Sequence, residues 1–247
     1  MRTVRPGAQA LARWRAFACG LVFLASCMIA ASASAWAPQL SSLFAPALTP
    51  DPDSKLPAPT RYSYRETFTT VVFGNETPLR TSLGTTVPVA LRDVLAFYRT
   101  ELEKAGWQEK PDSALITADH VQIAYASPLG PGVLKLGRRD GSTMVSLVQK
   151  NASVASNANL MPEAGRAMLL FSNTGETEAT LVIDDRTIKR AAGTRAVSLD
   201  LRPGKYTYEI SVPGHPATTH ALDLAAGDSW EVAVGHDGKP STPFQLY

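Results

Sequence analysis

Cysteine is almost missing from this chain. Only two of its 247 residues are cysteine, Cys19 and Cys27, and both fall in one apolar stretch near the start. The rest therefore has no disulfide framework and no thiolate metal ligands. Histidine is scarce too: of His120, His215, His220 and His236 only the middle two lie close together, at a spacing that fits no common zinc pattern. No GxSxG, HExxH, Walker or GxGxxG arrangement occurs, and the glycines stand singly at turns instead of in a phosphate-cradling loop. Asp184 and Asp185 lie between two expected strands, where aspartate is a turn former. The residues nominate no catalytic group, no cofactor and no metal site.

Charge of one sign is lacking as well. The formal net charge is +2, but residues 1–35 hold four arginines (Arg2, Arg5, Arg13, Arg15) and no acid, so the remainder carries 20 basic and 22 acidic groups. A near-neutral body without a basic run lacks the electrostatic footprint of phosphate neutralisation, which argues against nucleic acid as a partner. With 45% hydrophobic and 19% charged residues the composition is that of an ordinary globular protein.

Between Ala16 and Pro50 there is no charge at all. Arginines followed by the apolar run 16–35 form an export signal, which places the folded part outside the cytoplasm. Three fates are open for it, ranked in this order. The first is cleavage after Ala35, which small residues at Ala33 and Ala35 suit. The second is acylation of Cys27 within a lipobox-like Leu24-Ala25-Ser26-Cys27. The third is retention of 16–35 as a membrane anchor. Membrane contact is expected through this segment alone. Residues 36–59 carry six prolines and read as an extended tether.

Residues 60–150 contain the one convincing helix. Leu91, Val94, Leu95, Tyr98 and Leu102 recur at helical spacing, with Pro88 placed for the first turn and Gly106 for an αL cap that folds Trp107 back on the stripe. Strands are expected over 62–73, 79–86, 121–126, 133–137 and 143–149, with Asp140 and Gly141 as a hairpin turn. One helix on one face of an antiparallel sheet is a two-layer α+β domain. Gly132 reads as a loop glycine, so a valine there is expected to do less damage than one at Gly106.

Residues 151–159, NASVASNAN, read as a polar linker with nothing to bury, so the two flanking pieces are expected to fold independently. Asn75 and Asn151 each begin an N-x-S/T triplet. From residue 160 to 247 the chain reads as all strand, at 166–172, 179–184, 187–191, 197–202, 206–212, 218–224, 230–235 and 244–247. Its clearest stretch, VSLDLRPGKYTYEISV from Val197 to Val212, reads as a hairpin closed by a type II turn at Pro203 and Gly204. Parity puts Tyr206 and Tyr208 on the core face with Ile210 and Val212. Trp230, alternating with Val232 and Val234, is also assigned to the core. Many short strands punctuated by turns indicate a β-sandwich.

Leu201, Pro203, Gly204 and Tyr206, then Pro213 and Gly214, then Leu222, Leu224, Ala226 and Gly227 resemble the PEGA domain pattern over residues 178–235. Transthyretin-like and carboxypeptidase-regulatory sandwiches share much of it. His215 departs from the aromatic common at its position in PEGA sequences, and the name-giving Pro-Glu-Gly-Ala order is absent. The run from Ala96 to Trp107 resembles a helix of uncharacterised exported bacterial domains. No activity attaches to the helix, while the PEGA resemblance implies an accessory or surface role in the bacterial envelope. With the leader, the tether and the lack of a catalytic constellation, the expectation is a non-enzymatic envelope accessory or binding protein with an envelope-protein or glycan partner. Two other functions stay open, a dispersed-site hydrolase or carbohydrate-modifying enzyme and a lipoprotein scaffold of an envelope complex.

Overall fold

The computed structural model describes residues 47–72 and 76–247, so the leader, Cys27, Ala35, Trp36 and Asn75 lie outside the described residues. The described part is mostly β, with few helices and several sheets.

Its first half is built on one antiparallel sheet. Strands β1 (Tyr64–Val71) and β2 (Pro78–Val87) lead into helix α1 (Leu91–Lys104). Two very short strands follow, β3 (Gln108–Glu109) and β4 (Leu115–Ile116), and then β5 (His120–Ser127), β6 (Gly130–Arg139) and β7 (Ser142–Lys150). The order across the sheet is β1-β2-β7-β6-β5-β3, with β4 also pairing β5. Alternation along each long strand sends Leu83, Ile123, Leu134 and Leu147 to one face, where Val94, Phe97, Tyr98 and Leu102 of α1 complete the core. Among the described residues, the opposite face has no helix of its own.

Helix α1 starts later than expected: its N-cap is Ala90, so Pro88 lies outside the first turn. Its end is as read. Gly106 has φ +78°, its N–H donates to Glu103 O (2.9 Å), and Trp107 N–H donates to Leu102 O (2.9 Å), a Schellman motif that returns Trp107 to the core. Asp140 and Gly141, with φ +47° and +77°, make the two-residue turn between β6 and β7. Gly132 is no loop residue. It lies within β6, opposite Tyr125, and a Cβ built on it would stand 2.2 Å from Trp107 Cζ3.

The described part of the expected tether, 47–59, is not free. Leu56 and Ala58 are buried in the first core, Asp51 N–H donates to Ala58 O (2.8 Å), and Asp51 forms an ion pair with Arg65. Prolines exclude it from a ladder without keeping it from packing. The expected linker differs too: it contains helix α2 (Ala152–Asn157), capped by the Asn151 side chain, which accepts from Val154 N–H at 3.2 Å. Val154 and Ala155 are buried with Leu79, Leu160, Leu246 and Tyr247 in a third core that joins the halves of the chain. The described residues all fall in one compact unit, from Ala45 to Tyr247.

The second half forms two four-stranded sheets. One has the order β11-β8-β14-β15, from β8 (Ala167–Asn173), β11 (Thr194–Leu201), β14 (Ser229–Val234) and β15 (Phe244–Gln245). The other has the order β10-β9-β12-β13, from β9 (Ala179–Ile183), β10 (Arg186–Arg190), β12 (Gly204–Ser211) and β13 (Thr218–Leu224). β14 runs parallel to β8, and the other pairs are antiparallel. Leu169, Phe171, Val232 and Val234 of the first sheet share a core with Leu181, Ile183, Tyr208, Ile210, Leu222 and Leu224 of the second.

The stretch 197–212 is therefore two strands but no hairpin, because β11 pairs with β8 while β12 pairs with β9 and β13. Gly204 has φ +157°, far from the value near +80° that a type II turn requires, and the chain crosses there from one sheet to the other. Parity fixes which side chains face a core, but not which strand lies alongside.

Candidate functional site

The open face of the first sheet is the floor of a groove of about 590 Å³. Its register explains the lining. Positions that alternate with the core residues are Arg80 on β2, Ser146, Val148 and Lys150 on β7, Val133 and Lys135 on β6, and Gln122 and Ala124 on β5. Lys110, just past β3, joins them through its N–H bond to Ala124 O at 2.9 Å. The second half supplies the opposite wall, from the turn Ala225–Asp228 between β13 and β14 and from Gln245.

Four cations and one carboxylate line this groove, and the carboxylate is already taken. Lys150 Nζ lies 2.8 Å from Asp228 Oδ1 and 3.2 Å from Gly227 O, with the Tyr247 ring centroid 4.8 Å away. That pair is largely buried and ties the turn to the sheet. Arg80, Lys110 and Lys135 make no ion pair among the described residues. Among the described residues, Arg80 Nε is buried with no hydrogen-bond partner. Burial holds the Arg80 guanidinium below its ordinary value, and the nearby Asp228 carboxylate opposes that shift. Guanidinium does not give up its proton at any working pH, so the direction expresses a cost of burial that the Asp228 carboxylate offsets only in part.

The cations of the groove do not form one basic stretch of sequence, because they come from positions 80, 110, 135 and 150. The one signal available was parity: Arg80, Lys135 and Lys150 occupy the polar side of strands whose other side is core. Gly227 and Asp228 were recognisable as a turn and not as a wall.

The residues singled out in the sequence do not converge here. His220 stacks on the buried Tyr208 ring, with centroids 5.4 Å apart, and His215 lies against Gly238. Asp184 and Asp185 form the two-residue turn between β9 and β10, with Asp184 at φ +50°. Asn151, start of a triplet, is buried as the cap of α2. Trp230 is half-buried against the second core. Among the described residues no group of His, Cys, Asp and Glu is placed to hold a metal, and no helix is long and apolar enough to cross a membrane. In comparisons with known proteins, no family model and no curated protein matches the chain.

Proposed function

We propose that this chain is a non-enzymatic, exported accessory or binding protein of the bacterial cell envelope, and that its groove takes an anionic ligand. The observation that carries this is that Arg80, Lys110 and Lys135 line one groove and make no ion pair among the described residues, with Arg80 Nε buried and without a hydrogen-bond partner there. In this reading the architecture is a two-layer α+β domain followed by a PEGA-like β-sandwich, with the groove where the two meet. The sandwich reading is supported by the core shared between two sheets and by Tyr206, whose hydroxyl donates to Arg202 O four residues upstream at 2.7 Å, as in the tyrosine corner of β-sandwiches. The leader supports export, whether it is cleaved after Ala35, acylated at Cys27 or kept as an anchor.

The test is retention of the full-length protein on a dextran sulfate resin at low salt. Parent should bind and elute as salt rises, while Arg80→Gln combined with Lys135→Gln should elute far earlier. Equal elution of parent and variant would refute the groove as the anion site. Intact mass from envelope fractions distinguishes a start at Trp36, an acylated Cys27 and a retained Met1, and recovery of the chain from the cytoplasm alone would overturn the envelope assignment.

A further inference from the structure

The cations of the groove are spread out. Arg80 lies on β2, Lys150 on the adjacent β7, Lys135 on β6 beyond it, and Lys110 on the line of β3 past β5. Neighbouring strands are about 4.8 Å apart, so the series spans about 19 Å across the sheet, with Lys135 displaced along the strands from the level shared by Arg80 and Lys150. One phosphate or carboxylate cannot touch both ends of such a row. A ligand that uses the whole of it carries repeated negative charge along an extended body.

Resting on the anion-binding reading above, we propose that this ligand is an acidic polysaccharide, laid across the strands from Lys110 to Arg80. Between the charges the floor offers the amide of Gln122 and the hydroxyl of Ser146 beside the apolar Val133 and Val148. That mixture matches the hydroxyl and C–H surface of a sugar. Beyond Arg80 the same face continues onto β1, where Phe68 pairs with Ser82, two positions from Arg80, and is 61% exposed. A flat exposed ring stacks on the C–H face of a sugar. Further along β1, the Tyr64 hydroxyl donates to Glu66 at 2.5 Å, which places a carboxylate on this face just beyond Phe68 and marks where the anion-binding surface ends.

An acidic peptide fits this face less well. A peptide lying across a sheet face, and not along its edge, finds no ladder for its backbone N–H and C=O groups, which would be desolvated without partners. A polysaccharide has no such backbone to satisfy.

The experiment is calorimetric titration of the full-length protein with galacturonate monomer, trimer and decamer, with poly-L-glutamate, with oligo-dT, with neutral dextran and with inorganic phosphate. The expected result is affinity that rises steeply with galacturonate length, no binding of dextran, and weaker binding of the other polyanions. Lys110→Gln and Lys135→Gln, both at exposed positions, should each weaken decamer binding about two- to fivefold and together about tenfold. Phe68→Ala should weaken decamer binding and leave monomer binding unchanged. Monomer or phosphate binding as tightly as the decamer overturns the extended-chain inference and leaves the anion groove standing. Poly-L-glutamate or oligo-dT binding at least as tightly as the decamer overturns the sugar assignment. Absence of binding by every anion overturns both this inference and the reading beneath it.

Discussion

Replacing Gly132 by alanine is the sharpest test of the packing described here. A methyl carbon at this position would lie 2.2 Å from Cζ3, 2.9 Å from Cη2 and 3.0 Å from Cε3 of Trp107. Carbon atoms settle near 3.5–4.0 Å, so the indole would have to retreat by about 1 Å or more. It has little room to do so. Trp107 is 5% exposed, meets Tyr125 edge-on at 6.0 Å, and is fixed to the end of α1 by its N–H bond to Leu102 O. Overpacking of this kind costs about 1–3 kcal/mol, against a gain of less than about 1 kcal/mol from the stiffer unfolded chain. We expect a net loss of about 2 kcal/mol, or roughly 4–8 °C in melting temperature for a protein of this size. Gly106→Ala, whose new Cβ meets only Pro128 Cγ at 3.4 Å, should lose about 1 kcal/mol through its αL backbone alone. The assay is urea unfolding followed by far-UV circular dichroism, repeated in a Trp107→Leu background. There the clash is gone and Gly132→Ala should be close to neutral, giving a coupling of about 2 kcal/mol. The same loss in both backgrounds, or none in either, would refute the reasoning.

Three further outcomes follow from the cores and the ion pairs. Tyr208→Ala, at a side chain 1% exposed, should lose about 3–5 kcal/mol, Tyr206→Phe about 1 kcal/mol with its bond to Arg202 O, and the exposed Thr207→Ala almost nothing, as measured by thermal melting. Val154→Asp buries an unpaired carboxylate in the third core, and the single unfolding transition expected of the parent should split into two in calorimetry. The Arg65 guanidinium, with help from the Asp53 N–H, holds the Asp51 carboxyl below its ordinary value of 3.8. A depressed carboxyl stabilises above that value and loses its contribution as pH falls through the lower folded one, so below about pH 4 the parent should lose melting temperature faster than Asp51→Asn.

Much of the fold could be read from the sequence because period and punctuation are local. Alternation bounds strand β13 to the residue, turn chemistry marks the Gly106 cap and the Asp140-Gly141 turn, and parity buries Tyr208. What failed was everything set by distant partners. Alternation along Val197–Val212 could not reveal that its two arms join different sheets. Gly132 looks like a loop residue unless Trp107 is known to fold onto it. NASVASNAN looks polar unless Leu79 and Tyr247 are known to wait for Val154. The groove was invisible for the same reason, since its cations are separated by tens of residues and become neighbours only through the order β2-β7-β6-β5-β3.

The parallel pairing of β14 with β8 carries a consequence for the order in which the molecule is made. Met168 meets Ser229 only after the whole of the opposing sheet has been threaded between them. Closing so long a loop is slow, whereas β9 with β10, and β12 with β13, need only short ones. The β10-β9-β12-β13 sheet should therefore assemble early, and β14 should dock late. The Ala225–Asp228 wall lies immediately before β14, so the groove is among the last features to form as the chain folds. On the anion-groove proposal, a refolding experiment that follows anion binding should lag behind one that follows strand content, so that binding would report the docking of the last strand.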